Sequence, residues 1–318
     1  VNLPAGLPTV GIDLGGTNLR IGVVDRAGAI QAIEQQSAPT NPEQLVEVIA
    51  RQIDAYARAG PIGAVGVGVA GMIDRDGTVR YAPNLPMLTG VSLQPRLSQR
   101  LAYPVVVDND ANAAAWGESC HGAAQGEETV LVITLGTGVG GGIISGGSLY
   151  RGAHGFAAEV GHWQFDPSGP RCACGGRGHW ETMASGSALG RMAQERAAAG
   201  TAAGLLDRAH GKAEALTGQH VTQALADGDA VATELFAEFT RIVGIGLAGL
   251  INIFDPALVI ISGGLVTLGE VLIDPIRRVV ADEIEGSQYR PPVPILPAEL
   301  GDSAGLVGAA AMARDLIK

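Results

Sequence analysis

The sequence predicts an α/β protein of two domains, and three observations carry that expectation. The chain has 318 residues, where single domains commonly run to about 100–200. Short apolar runs ending in Gly, Asn or Asp alternate with stretches of helical periodicity, the pattern of sheets flanked by helices. One design, a strand, a Gly/Thr turn and a second strand, also occurs once in each half: DLGGTNLRIGVVD from Asp13 and TLGTGVGGGIISG from Thr134.

Composition agrees. Apolar residues make up 47% and charged residues 17%, enough to bury a core and unlike a disordered chain. The 47 glycines among 318 residues are about twice the usual ~7% share. They gather in clusters beside apolar runs, which points to backbone that approaches something closely.

The elements follow in order. Thr9–Leu14 is an apolar strand ending in Gly15-Gly16-Thr17-Asn18, and Leu19–Asp25 is a second. A turn at Arg26-Ala27-Gly28 leads to a third from Ala29 to about Gln35, a meander with turn chemistry between β-patterned runs. Asn41-Pro42-Glu43-Gln44 reads as an N-cap, a Pro at the first helical position and a capping-box Gln. Leu45, Ile49, Ile53 and Tyr56 form that helix's apolar face, and Gly60 stops it. A buried strand, Ala64–Ala70, ends in Gly71. A short helix near Ser92–Ala102 leads to the strand Val105–Val107 and to Asp108-Asn109-Asp110. The second half opens with strands Thr129–Leu135 and Val139–Ser145 around Gly136-Thr137-Gly138. A loop-rich insert holding two of the cysteines covers about 150–181. A long helix near Ala230–Ile253 precedes the strand Ala257–Ser262 and Gly263-Gly264, and Ala304–Ile317 reads as a closing helix. The expected division is a small domain, 1–112, completed by 301–318, and a large domain, 113–300. Hinges are expected near Ala111–Glu118 and Leu300–Ser303.

Several function classes fall away. The net charge is −11 with scattered Lys and Arg, so no nucleic-acid partner is expected. The apolar stretch Ile242–Phe254 is shorter than the ~20 residues of a membrane span, so no membrane partner is expected either. The N-terminal VNLPAGLPTV lacks a basic segment followed by an apolar one, so no signal peptide is expected. Three cysteines, two of them in Cys172-Ala173-Cys174, make no disulfide framework, and a reducing cytoplasm is the expected compartment. Lys212 and Lys318 are the only lysines, and neither has the Walker A or kinase strand context. Any nucleotide phosphate must therefore be held mainly by backbone N–H groups.

Four constellations carry chemistry. Asp13 with Gly15-Gly16-Thr17-Asn18 is either an ordinary tight hairpin or a nest of N–H groups for an anion, with Asp13 able to hold Mg²⁺. Gly136–Gly141 repeats the device and also matches G-x-G-x-x-G. That fingerprint needs a helix straight after it, and Gly142–Leu149 is β-branched and glycine-rich, poor helix material. Asp108-Asn109-Asp110 at a strand-to-helix junction is either a helix cap or a cap plus a pair of groups for sugar hydroxyls. Cys172 and Cys174 are too close in sequence for an unstrained disulfide. With His162 and His179 they can form a closed tetrahedral zinc site, the alternative being free thiols and surface histidines.

Taken together these residues resemble the ROK family of bacterial sugar kinases, most closely its glucokinase branch. The resemblance runs from Val10 to about Ala311. It rests on Asp13–Asn18, Gly68–Gly71, Ala82–Pro86, Asp108–Asn112, Leu135–Gly142, Glu159–His162, Cys172–Glu181, Ser262–Leu265 and Leu300–Ala310. It implies a two-domain actin-like ATPase and hexokinase fold, ribonuclease H-like in each half, with a cleft between the domains. It implies ATP-dependent phosphorylation of a hexose, foremost glucose at its 6-hydroxyl, with ATP, Mg²⁺ and a structural Zn²⁺ as cofactors. A homodimer or homotetramer is implied as well.

The family pattern makes Asp110 the general base and Gly71, Asn84, Asn109, Asp110, Glu159, His162 and Glu181 the sugar-binding residues. Gly15, Gly16, Thr17, Asn18, Thr137 and Gly138 match the two phosphate loops. Asp13 matches the Mg²⁺ side, and Gly263 and Gly264 the adenosine side. His162, Cys172, Cys174 and position 179 match zinc ligands. The family motif is C-x-C-G-x-x-G-C, and its third cysteine is His179 here. The phosphate loops lie elsewhere in sequence, so metal loss is expected to weaken sugar binding more than donor binding.

Overall fold

The computed structural model describes residues 6–318; Val1–Ala5, half of the segment read for a signal peptide, lie outside the described residues. Strands β1 (Thr9–Leu14), β2 (Asn18–Val24) and β3 (Ile30–Ser37) form the expected meander, followed by helix α1 (Pro42–Ala59) and strand β4 (Val65–Val69). Three short strands come next, β5 (Met72–Ile73), β6 (Thr78–Tyr81) and β7 (Val91–Ser92), then α2 (Leu93–Arg100), β8 (Val105–Asn109) and α3 (Asp110–His121). The second half opens with β9 (Thr129–Leu135), β10 (Val139–Ser145) and β11 (Ser148–Leu149). Helices α4 (Glu181–Ala184), α5 (Gly186–Ala198), α6 (Ala203–Arg208), α7 (Gly218–Ala226) and α8 (Ala230–Phe254) follow. The chain closes with β12 (Leu258–Ser262), α9 (Glu270–Glu283), β13 (Ile295–Pro297) and α10 (Ala304–Asp315).

Two open five-stranded sheets result, ordered β3-β2-β1-β4-β8 and β11-β10-β9-β12-β13, with a three-stranded sheet β5-β6-β7 beside them. The chain divides into two compact units. Unit 1 holds the residues up to Val132 together with Gly141–Ala158 and Ala298–Lys318, and unit 2 holds Ile133–Gly140 and Glu159–Pro297.

In unit 1, β1 pairs antiparallel with β2 and parallel with β4, and β4 pairs parallel with β8. The core takes Ile12, Leu14, Ile21, Val67 and Val107 from the sheet and Leu45, Ile49 and Ile53 from α1. The α1 start behaves as its sequence requires: Asn41 Oδ1 accepts from the backbone N–H groups of Glu43 and Gln44 at 2.9 and 3.2 Å.

Glycine explains how closely α10 packs. A Cβ on Gly66 would lie 1.8 Å from the carbonyl oxygen of Ala309, and one on Gly308 would lie 1.7 Å from that of Ala113. Backbone therefore touches backbone where α10 meets β4 and α3. The Glu118 carboxylate adds a stitch, accepting from the N–H groups of Ala123, Glu299 and Leu300 at 2.9, 3.2 and 2.9 Å.

This packing moves the division of the chain. Residue 112 was the expected boundary, with hinges near Ala111–Glu118 and Leu300–Ser303, yet all of α3 and the Leu300–Ser303 turn belong to unit 1. The chain crosses between units inside β9, near the start of β10 after Gly140, after Ala158 and after Pro297.

In unit 2, α8 is 25 residues long, and among the described residues it is the one helix with the length and hydropathy of a membrane span. It begins well before Ile242, where the apolar stretch read from the sequence starts. Leu235, Phe236, Phe239, Val243, Leu247 and Ile251 are buried, the arrangement of a core helix. Trp180 is fully buried and donates its Nε1 to the Ile242 carbonyl at 3.3 Å. Gly246 makes room for that ring: a Cβ there would sit 2.2 Å from it.

Candidate active site

Each unit gathers its own set of the candidate residues. In unit 1, β1 ends at the turn Gly15–Thr17, where the Gly15 N–H bonds the Asn18 carbonyl at 3.0 Å. Asn84 packs on this turn, because a Cβ on Gly16 would lie 2.9 Å from the Asn84 Cβ. Asp13, one residue before the end of β1, forms a 3.9 Å ion pair with Arg20 across the hairpin. Burial raises the Asp13 carboxyl above its ordinary range, Arg20 opposes that and Asp302 adds to it. Arg20 also donates to the Asp302 backbone carbonyl at 2.6 Å. The 3.9 Å pairing leaves the Asp13 carboxylate with lone pairs to offer a hard cation or its water, so the site fits the Mg²⁺ side of a nucleotide.

The β8-to-α3 junction is built by three consecutive polar residues with separate tasks. Asn109 is the N-cap of α3, accepting from the Asn112 N–H at 3.0 Å, and its Nδ2 donates to the Gly71 carbonyl at 3.0 Å. This Asn therefore caps the helix and brings Gly71 to the junction. Gly71 has no space for a side chain, since a Cβ would meet the Tyr81 carbonyl oxygen at 2.6 Å. Asp108 is buried. Its carboxylate accepts from the Asn109 N–H at 2.8 Å, Asn112 Nδ2 at 2.9 Å and Arg151 Nε at 2.5 Å. Asp110 opens α3, with Oδ1 accepting from the Ala111 N–H at 2.9 Å.

In unit 2 the Gly136–Gly138 turn closes with the Gly136 N–H on the Gly138 carbonyl at 3.0 Å, and the Gly186 N–H bonds the Gly136 carbonyl at 2.8 Å. Thr137 stands at its tip. Gly263 has φ +89 and lies against the end of β9, where a Cβ would meet the Leu135 carbonyl oxygen at 2.5 Å. Gly264 opens the following turn of helix, so the expected adenosine side and the second phosphate turn share the end of β9. Glu159 precedes a single helical turn, Val160–His162. Burial raises its carboxyl above the ordinary range, His162 opposes that and Glu181 adds to it.

The insert brings its four candidate metal ligands together. Their ligand atoms all lie within 4.8 Å of one another. His162 Nδ1 is 3.4 Å from His179 Nδ1 and 3.7 Å from Cys172 Sγ, and Cys174 Sγ is 3.3 Å from His179 Nδ1. Zinc bonds of about 2.3 Å to sulfur and about 2.05 Å to nitrogen put tetrahedral ligands about 3.3–3.8 Å apart. The donor set fits a closed two-sulfur, two-nitrogen site, and His179 occupies the place of the family's third cysteine. His162 turns Nδ1 inward, which leaves Nε2 for another partner. Burial and the neighbouring Glu181 carboxylate push the Cys172 thiol up to about 12, so a metal arriving here displaces a proton.

Glu181 borders the cluster. Its Oε1 lies 3.0 Å from Cys172 Sγ and 3.6 Å from His162 Nδ1. Its Oε2 lies where it would be 2.7 Å from a Cβ on Gly138. The cluster and the second phosphate turn are therefore separated by one carboxylate, although they lie far apart in sequence.

Three supporting residues escape sequence reasoning. Arg20 reaches the distant Asp302 carbonyl besides its neighbour Asp13, Arg151 pairs with Asp108 far back in the chain, and Glu118 reads as an ordinary helical Glu until the chain returns to it. An Arg in the strand after the first turn is the one local signal, and it points only to Arg20.

The comparisons with known proteins identify the family. The ROK family profile matches residues 9–316. The glucokinase of Streptomyces coelicolor is 43% identical over 310 residues, covering 96% of this chain and 98% of that protein. The glucokinase of Thermotoga maritima is 34% identical, covering 98% of each. Among solved structures, a ROK glucokinase from Streptomyces griseus in complex with glucose and AMPPNP is 44% identical, with a TM-score of 0.86 over 97% of this chain and 99% of that one. Its relatives share the actin-like ATPase and hexokinase fold, and the open mixed sheets of both units conform to it. On these grounds the chain belongs to the ROK family.

Proposed function

We propose that this chain is a glucokinase that transfers the γ-phosphoryl group of ATP to the 6-hydroxyl of glucose. One observation carries the reading: a glucokinase structure holding glucose and AMPPNP matches essentially the whole chain, and Asp110 stands at the head of α3 in this chain's own structure.

The steps follow from the residues. Asp110 accepts the proton of the attacking hydroxyl. Asn109 holds Gly71 and caps α3, which fixes the position of the base. Asn84, Glu159, His162 through Nε2, and Glu181 bind the remaining hydroxyls of the sugar. The N–H groups of Gly15–Asn18 and of Thr137-Gly138 hold the phosphates, replacing the lysine this chain lacks. Gly263 and Gly264 let the adenosine side approach the backbone. Asp13 would hold Mg²⁺, which when bound would supply charge neutralisation for the transferring phosphoryl group. His162, Cys172, Cys174 and His179 would hold a structural Zn²⁺, which would fix the insert and the ring of His162.

A coupled assay of ADP release with Mg-ATP and a panel of hexoses tests the reading. Glucose should give the highest kcat/KM. An N-acetyl sugar, fructose, allose or mannose far above glucose would reassign the substrate. No sugar-dependent ADP with any hexose would turn the reading to a sugar sensor on the same fold.

A further inference from the structure

We infer that Ala158 is a positioning residue for glucose binding, because its left-handed backbone sets the direction of the Glu159 carboxylate that follows it. The inference rests on reading Glu159 as one of the residues that hold the sugar.

The observation is one of backbone. Among the described residues, three that are not glycine have positive φ: Ala158 at 69, His210 at 52 and Asp255 at 43. Asp255 is the C-cap of α8 and His210 stands in an exposed turn. Asp and His are residue types enriched in this conformation. Alanine has no polar side chain to bond its own backbone, so its Cβ is crowded with nothing local to offset the strain. The conformation is imposed by the chain on either side. Before it, Arg151 Nε holds the buried Asp108 carboxylate at 2.5 Å, and Arg75 Nε donates to the carbonyls of Gly152 and Ala153, each at 3.1 Å. The Ala157 N–H then turns back to the Arg151 carbonyl at 3.3 Å. After it, the His162 N–H closes a helical turn on the Glu159 carbonyl at 3.0 Å. Gly161 in that turn lies backbone to backbone with β10, since a Cβ there would meet the Val139 carbonyl oxygen at 2.1 Å. Ala158 joins these two pinned segments, the last residue of unit 1 before Glu159 opens the next stretch of unit 2. A residue that refuses positive φ must swing the chain that follows, and Glu159 moves first.

The test compares Ala158→Gly, Ala158→Asn and Ala158→Val in the full chain. Gly and Asn accept positive φ, whereas β-branched Val, close to Asn in volume, resists it. Glucose affinity is read by equilibrium titration, KM for Mg-ATP by ADP release at saturating glucose, and stability by thermal denaturation. Ala158→Val should bind glucose about tenfold more weakly, as when the competent conformation falls to about a tenth of the population. Its KM for Mg-ATP should stay at the wild-type value. Ala158→Asn should keep wild-type glucose affinity. Ala158→Gly should keep it too and raise Tm, against the usual cost of glycine, because it relieves the strain. Wild-type glucose affinity in Ala158→Val would overturn the inference. An equal loss in Ala158→Asn would do the same by marking the effect as one of bulk, and a parallel loss for Mg-ATP by marking it as general damage. A lower Tm in Ala158→Gly would also overturn it, and that result decides by itself should Ala158→Val not fold. A wild type that binds no hexose would remove the glucokinase reading and this inference with it, whereas a wild type that binds glucose beside an unaffected Ala158→Val removes the inference alone.

Discussion

Arg151 reaches the buried carboxylate of Asp108 with Nε at 2.5 Å, 43 residues along the chain and two residues before the proposed base. The Asp108 side chain is 7% exposed and that of Arg151 33%, so the carboxylate is sealed and the guanidinium partly open to solvent. The pair ties the Tyr150–Ala158 segment, which leads directly to Glu159, to the strand end that presents Asp110.

Removing the arginine leaves a buried charge with two remaining neutral donors. Arg151→Leu should destabilise unit 1 by about 1–3 kcal/mol, below the 3–5 kcal/mol of a fully sealed pair because Arg151 is partly solvated. Urea denaturation reads this, and adding Asp108→Asn should recover part of the loss. An unchanged midpoint in Arg151→Leu would show the pair to be dispensable.

Acid sensitivity should come in part from His121. Its Nε2 lies 3.2 Å from Arg314, whose other nitrogen donates to the Asp25 carbonyl at 2.6 Å. Burial first, then Arg314, lower the His121 pKa from its ordinary 6.5, with Asp25 opposing. The unfolded chain therefore takes up this proton at a higher pH than the folded one. The stability involved is intact above about 6.5 and is lost as pH falls through the lower folded-state value. His121→Gln should flatten the decline of Tm between pH 7 and 5, and an unaltered slope would assign the decline to other groups.

Close backbone packing predicts a sharp contrast between two glycines. Gly308→Ala must push α10 off Ala113, whose carbonyl oxygen lies 1.7 Å from the new Cβ, at a cost of about 3 kcal/mol. Gly60, with open space around it and an extended φ of −178, should accept Ala within about 0.5 kcal/mol. Thermal denaturation of the two variants distinguishes them, and equal Tm values would contradict the packing described.

The metal centre makes its own prediction. The protein as purified should hold about one zinc per chain. His179→Cys, which restores the family motif, should keep it, and His179→Ala should lose it. Metal analysis reads this directly; a zinc-free wild type with full activity would leave the cysteines without a role.

Much of this was legible in the sequence because the signals are local. The β9 strand carries an apolar run bounded by a glycine turn, β1 and β10 end or begin at such turns, and α1 announces itself through Asn41-Pro42. The four candidate metal ligands stood out as a group because donor chemistry and spacing restrict what they can bind. Strands β5–β7 have two to four residues each, too few for alternation to register. Helix α9 contains Pro275 in its interior, which reads as a break in the sequence. The grouping of α3 with α10, nearly 200 residues later, was not legible because it runs through glycine contacts without a local pattern. Arg151 on Asp108 and Glu181 beside Gly138 were invisible for the same reason: each partner looks ordinary until the fold brings the other to it.

The central claim is that Asp110 is the base of an ATP-dependent glucose phosphorylation, and one paired measurement on Asp110→Asn tests it most directly. Glucose affinity is read by equilibrium titration and turnover by ADP release with saturating Mg-ATP. The account predicts glucose binding within a few-fold of wild type, and kcat lower by about 10²–10⁴. Turnover near that of wild type, with glucose bound normally, would contradict it.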